Sequence, residues 1–354
     1  MNLYILNGLS GITGIVEVFE SMIWNMQFYS VNDFQVILPL TSDAAALLQP
    51  GILLVREPDI GSGEYHNVMR IENRTISFNP DKGWLLTVSG GGLKKIVGQR
   101  VIWEQINFVE ENVETAIRQV ITDNIISPDD SDRTISNFVL DTAVGFTDTF
   151  DAQLFGENIS EWIESNCQIY GYGWDVYIKN GKYVFTLIKP TDRSYDQSSV
   201  DPVVFSPTYD NLASATYEYQ GADYHNVGLV GGEGDGSDQI VTYVGSGSGL
   251  DRYETYIDGN EVSSNGEIIS METYLSMLQT FGREQLADGS LYQKFSGEII
   301  LDNEMFVYGE DYFLGDVVQV DIGYAAAALR IVEMIYSEDS NGSSLIPTFG
   351  DQEV

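Results

Sequence analysis

Two histidines and one cysteine are all that this 354-residue chain offers toward a side-chain nucleophile paired with an imidazole base. A Ser–His or Cys–His dyad would have to use His66, in Glu64-Tyr65-His66, or His225, in Asp223-Tyr224-His225-Asn226. No G-x-S-x-G elbow is present to raise a serine on a strand-to-helix turn. Both imidazoles therefore read as surface or core-edge side chains. Cys167 stands on an apolar helical face and reads as a small buried hydrophobe. With one cysteine no intrachain disulfide can form, which suits folding in a reducing cytoplasm.

Metal and cofactor chemistry is as thinly supplied. Zinc needs Cys or His clusters, and these are missing. The stretch Gly231 to Gly236 approaches a G-G-x-G-x-D calcium repeat, but Gly236 stands where its aspartate belongs and there is one copy. Asp129-Asp130-Ser131-Asp132 gathers carboxylates without the glycine and terminal glutamate of an EF-hand loop. Both read as solvated acidic loops. Gly245-Ser246-Gly247-Ser248-Gly249 has neither the spacing nor the following helix of a dinucleotide loop, and reads as a flexible hairpin tip. Paired carboxylates could hydrolyse glycosides, but 53 acidic residues guarantee pairs by chance. The reading is no catalytic, cofactor-binding or metal-binding residues, no cofactor, and no enzyme.

The elements that carry these residues belong to a folded, acidic, β-rich protein. The chain is 43% hydrophobic and 12% aromatic, too apolar for disorder and long enough for two or three domains. Against 53 acids stand 17 bases, a net charge of −36. Lys94-Lys95 is the longest basic run, so no Lys/Arg cluster exists to hold nucleic acid, and an anionic membrane would repel the chain. The N-terminus lacks the basic start and apolar stretch of a signal peptide. No run of about 18 apolar residues predicts a membrane span. The sequons at Asn73, Asn158 and Asn341 carry no weight in that setting.

Residues 1–105 read as short strands: Gly14 to Glu20, Asp33 to Leu38, Trp84 to Ser89 before a break at Gly90-Gly91-Gly92, and Val101 to Trp103, with a short helix near Ser42 to Gln49. Val113, Ala116, Ile117, Val120 and Ile121 then form one apolar stripe of a helix over about 110–122, with Glu110, Glu111 and Glu114 in its first turns. A second helix is predicted from Ile159 to Tyr170, capped by Asn158 with Glu161 three residues on, and ended by Gly171 and Gly173. Trp174 to Ile178 and Tyr183 to Ile188 form a hairpin about Asn180-Gly181. Strands return at 203–205, 215–219 and 227–230. Ile240 to Val244 and Tyr253 to Ile257 read as a hairpin around the Gly-Ser stretch. A third helix spans about 271–286, its face made by Met271, Tyr274, Leu275, Leu278 and Phe281, and strands at 295–301, 316–321 and 329–335 finish the chain.

Certain segments in combination are more specific than the pattern. They are Ser21-Met22-Ile23-Trp24 with Asp33 to Pro39; Val88-Ser89-Gly90 with Gln99 to Trp103; and the helix at 110–122 followed by Asn124 and Pro128. Asp192-Arg193-Ser194, Val203 to Ser206, Asn211-Leu212, Tyr224 to Val227 and Gly231 to Gly234 follow, then Gly249 to Glu254 and Tyr312 to Asp316. Spread over residues 15 to 350, they resemble the ReqiPepy-type group of siphophage tail proteins, a hub-like family. Asn32 before Asp33-Phe34, and Asn25-Met26-Gln27 without basic residues, depart from its pattern.

The resemblance implies a mainly β fold with α/β insertions: two small β-barrel-like domains and an inserted α/β domain, phage tail hub-like. The expected division is 1–105, first barrel-like domain; 106–199, inserted domain; and 200–354, second barrel-like domain carrying the helix at about 271–286, with 200–232 free to return to the first barrel. The implied role is a structural baseplate hub in the virion, at the tail tip, made in the host cytoplasm. Three copies form a ring between the distal tail protein and tape-measure tip on one side and a host-binding fibre or adhesin on the other. Genomic DNA passes through, and nothing inserts in a membrane. Carboxylates lining the channel would repel that DNA over a screening length of about 8–10 Å. A C-terminal hydrolase or fibre domain is not expected before Val354. The rival readings are a receptor-binding tail module, for which 21 tyrosines leave room, and a tail-associated cell-wall hydrolase.

Overall fold

The computed structural model describes residues 1–9, 11–220, 224–263, 270–287, 292–300, 305–324 and 326–350. The fold is mainly β, as expected, and its largest element is a sheet of fourteen strands. The middle of that sheet follows from simple alternation. Met22, Trp24 and Met26 of Ser21–Gln27 and Phe34, Val36 and Leu38 of Asp33–Pro39 turn to one side and are buried. The two strands pair antiparallel with Trp24 opposite Phe34, the ring centroids 5.3 Å apart.

Outward from Asp33–Pro39 come Gly83–Gly92, Met69–Asn79, Leu53–Arg56, Leu3–Leu6 and, at the edge, Ile12–Val16. In the other direction Ser21–Gln27 pairs with Ala326–Asp339, followed by Gly342–Gly350, Tyr292–Ile299 and Leu212–Gln220. The first half of Ala326–Asp339 pairs instead with Val317–Asp321, which takes two-residue parallel pairs from Asp192–Arg193 and Val204–Phe205. Residues from both ends of the chain thus share one ladder. Among the described residues none of the sheets closes on itself.

Four expectations for the strands need correction. The break at Gly90 to Gly92 is absent, because the strand runs through them: a bulge between Ile71 and Asn73 brings the Arg70 carbonyl to 1.9 Å from where a Gly90 Cβ would lie. Val101 to Trp103 forms only an isolated bridge, Val101 to Asn158. The alternation at Gly14 to Glu20 yields a strand that stops at Val16. The tail around Ile346 to Gly350 is a full inner strand despite Pro347. The ladder to Tyr292–Ile299 pairs Ser296 with Thr348 and Ile299 with Leu345, on either side of that proline. Of the expected strand at 295–301, Leu301 lies outside the described residues, as does Asp223 beside His225.

Among the described residues four α-helices, α1 (Ser42–Leu47), α2 (Val113–Ile121), α3 (Ile159–Tyr170) and α4 (Met271–Ala287), pack on the sheets. The whole α2 stripe, Val113, Ala116, Ile117, Val120 and Ile121, is buried. The helix starts later than expected, at the Asn112 cap, whose side chain accepts from the Thr115 N–H at 3.0 Å. Glu110 and Glu111 belong instead to the strand Ile106–Asn112, which pairs with Thr149–Leu154. α3 has the expected bounds, with Asn158 accepting from Ser160 and Gly171 left-handed at φ +68°. Gly173–Lys179 and Lys182–Ile188 form the expected hairpin, Asn180 and Gly181 both at positive φ as a type I′ turn requires. Phe138–Leu140 and Glu64–Tyr65 extend that hairpin on either side into a four-stranded sheet.

The hairpin expected around the Gly-Ser stretch is also corrected. Val241–Gly245 and Glu254–Asp258 do not pair with each other; Val227–Gly231 lies between them, antiparallel to the first and parallel to the second. Asn226 makes the crossover, donating to the Asp251 carbonyl at 2.7 Å and accepting from the Tyr253 N–H at 2.8 Å. α4 covers one face of this small sheet, with Tyr274, Met277 and Leu278 against Val230, Val244 and Ile257. Met271, expected on that face, is exposed, and Met277 is buried in its stead.

Candidate functional site

A cleft of about 880 Å³ opens where three stretches of the chain meet. Lys94 and Arg56 enter from the N-terminal part, Trp174 and Asp175 from the start of the 173–188 hairpin, and Tyr308 and Tyr312 from the C-terminal part. Lys189 lines it as an exposed side chain, whereas its buried cations are tied to the protein itself. The Lys94 ammonium is buried, donates to the carbonyls of Gln27, Phe28 and Ser30 at 2.8, 3.0 and 2.9 Å, and lies 5.0 Å from the Trp174 ring centroid. Burial draws its pKa down to about 8, against the pull of Asp175. The Asp175 carboxyl is pushed up by its own burial, which the Lys94 and His66 charges oppose.

Arg56 is buried in an ion pair with Asp59 at 2.6 Å, its guanidinium 5.9 Å from the Trp24 ring and 5.5 Å from that of Tyr336. Arg193 pairs with Asp316 at 2.7 Å, and Asp316 also accepts from the backbone N–H groups of Thr191 and Phe313. Arg330 donates to the Gly315 carbonyl at 2.8 Å and lies 5.5 Å from the Phe28 ring. Burial raises Tyr308 to about 12. Groups held in this way brace three chain segments against one another.

His66 borders this cleft but stacks on Tyr177, centroids 4.7 Å apart, with the Glu64 carboxylate 3.4 Å away. Hydrogen bonds from Lys179 and His66 hold Glu64 below its ordinary value. His225 is half-buried next to the crossover at Asn226. Cys167 is fully buried on α3, and burial pushes its thiol well up, away from thiolate chemistry. Asp129 and Asp130 line a smaller cleft of about 350 Å³ together with Arg133, whose guanidinium lies 5.0 Å from the Trp103 ring. In the 231–236 loop, Gly232 packs on Tyr274 and the Glu233 carboxylate accepts from Ser263, so this segment is anchored. Among the described residues no group of three or more His, Cys, Asp or Glu is placed to hold a metal ion. No described helix is long and apolar enough to cross a membrane.

Sequence reasoning missed the buried carboxylates of Asp316 and of Glu114. Glu114 on α2 accepts from three consecutive backbone N–H groups, Val144, Gly145 and Phe146, at 2.7, 2.7 and 3.0 Å. Its role is to fasten a loop, and no spacing in the sequence announces it.

Apolar surface lies outside the clefts. Phe78 and Trp84 pair across the 69–92 hairpin near its tip, centroids 5.4 Å apart, 59% and 57% exposed. The edge strand Ile12–Val16 exposes Ile12 and Ile15. The small three-stranded sheet exposes Leu229, Val241, Tyr243 and Tyr256. Such surface points to contacts with other chains.

The profile of the Siphovirus ReqiPepy6 Gp37-like protein family matches residues 2–351. Among solved structures, the fold is similar to the 43 kDa tail protein of prophage MuSo2 from Shewanella oneidensis. That match has a TM-score of 0.61 and 13% identity, covering 99% of both chains. It is also similar to the tail protein from Neisseria meningitidis MC58, with TM-score 0.60 and 13% identity over 99% of this chain and 96% of that one. Prophage tail protein gp18 from Listeria monocytogenes EGD-e matches with TM-score 0.55 and 10% identity over 100% and 96%. No curated protein matches the sequence.

Proposed function

The chain belongs to the Siphovirus ReqiPepy6 Gp37-like family, and from that premise we propose that it is the structural hub of a siphophage tail tip. Three copies form a ring that joins the distal tail protein and tape-measure tip to a host-binding fibre or adhesin, and genomic DNA passes through it. The observation that carries the reading is the extent of the likeness in fold: 99% of this chain corresponds to 99% of a prophage tail protein. The larger cleft agrees with a structural role, since Lys94 and Arg56, which line it, are bound to backbone carbonyls, rings and a carboxylate of the same chain. The proposed units are two β-rich parts, within 1–105 and 200–354, which share the open fourteen-stranded sheet, and an α/β insertion at 106–199. Part of the −36 charge is assigned to the channel wall, where carboxylates keep phosphate from adhering.

Native mass measurement of the purified chain, alone and mixed with its distal tail protein, tests this. The expected species carries three chains of 39.3 kDa each. A monomer under both conditions overturns the ring.

A further inference from the structure

The small sheet of Val227–Gly231, Val241–Gly245 and Glu254–Asp258 has one face under α4 and the other bare among the described residues. Register explains the bare face. Leu229 is paired with Tyr243 on one side and Tyr256 on the other, so the three side chains stand in one row across the strands. They are 48%, 67% and 55% exposed, and Val241 extends the row along its strand at 51%. On the opposite side of the same strands Val230, Val244 and Ile257 are buried. Scattered apolar residues on a surface need no explanation, but an aromatic-rich row on one flat face does.

Charge restricts what can cover it. From Val227 to Asp258 the chain carries six acids and one base. Glu254 and Asp258 share the bare face with Tyr256 by strand alternation, and Asp238 and Asp251 stand exposed in the turns before two of its strands. The single base, Arg252, is paired with Glu254. A second copy laid on this face would set one acidic rim against another within the screening length of about 8 Å.

We propose that this face docks a different protein of the tail, one presenting an apolar centre within a Lys/Arg-rich rim. The inference rests on the tail reading above, adding a partner chemistry and its location. Opposite charge at the rim speeds encounter and selects against acidic surfaces, while the row from Tyr243 to Tyr256 supplies the buried centre.

The test puts a photo-crosslinking residue, benzoylphenylalanine, in place of Tyr243 in the full chain during phage assembly, with Leu229→Asp as a second variant. The expected result is a link, in purified virions, to a different polypeptide through a peptide of net positive charge. Leu229→Asp is expected to keep the melting temperature of the free chain and lower its incorporation into virions at least tenfold. A link to another copy of this chain, a link through an acidic peptide, or no link in virions that contain the chain overturns the proposal. So does unchanged incorporation of Leu229→Asp. Absence of the wild-type chain from virions overturns the tail reading itself.

Discussion

The ring of Phe28 lies so close to Gly173 that a β-carbon on that glycine would stand 2.1 Å from its Cε2 atom. The same ring carbon would meet a β-carbon on Gly315 at 2.1 Å. One phenylalanine just past an N-terminal strand is therefore clasped by the hairpin of the 106–199 segment and by a C-terminal turn. Gly315→Ala is expected to lower stability by about 2–4 kcal/mol, because overpacking adds to the strain of φ +96°. Urea denaturation measures it, and a midpoint within error of wild type would show that the junction yields.

Lys94 makes the second bond of this junction. Lys94→Met strips the carbonyls of Gln27, Phe28 and Ser30 of their donor while sparing the burial of a charge. Unpaired buried carbonyls dominate that exchange, so the variant is expected to lose about 2–4 kcal/mol. Equal or greater stability in the same urea titration would contradict this account.

Ile117 sits at the centre of the α2 stripe with no exposed surface. The stripe's three largest side chains contribute about 5–9 kcal/mol by burial. Ile117→Asp places an unpaired charge there and is expected to release α2 from the core. Hydrogen exchange should show residues 113–121 losing protection, whereas retained protection would mean the stripe is not what holds the helix.

Glu284 on α4 predicts a pH dependence. Burial, with the nearby Glu157 charge, pushes its carboxyl up to about 7 from an ordinary 4.5. Between those values the folded chain keeps a proton that the unfolded chain releases. This group's contribution is therefore fully present below about 4.5 and is lost as pH rises to about 7. The loss amounts to about 1–3 kcal/mol. Glu284→Gln should remove that slope and melt higher than wild type at pH 8. A stability difference between the two that stays constant from pH 4.5 to 8 would refute the assignment.

The acidity and the family likeness were legible in the sequence. The cleft was not. Lys94 reads as half of the longest basic run, and its ammonium is buried because Gln27, Phe28 and Ser30 turn three carbonyls toward one point. Glu114 reads as a first-turn helix acid, and its hold on residues 144–146 depends on a loop thirty residues away. Both partnerships arise between segments that share no local pattern.

By itself the sequence determined the parts whose energetics are local. α3 begins at Asn158 and ends at Gly171, and the Asn180-Gly181 turn closes its hairpin, because caps and positive-φ turns involve residues a few positions apart. The apolar stripe of α2 is a 3.6-residue repeat and was equally readable. Tertiary structure decided the partners of the strands. Tyr336 stands opposite Trp24 across 312 residues, and Val227–Gly231 separates two strands that their intervening Gly-Ser stretch seemed to join. A strand's side-chain alternation specifies which face is buried, while its backbone donors and acceptors are the same in every strand. Which neighbour it takes is settled by the side chains that meet when the whole chain packs.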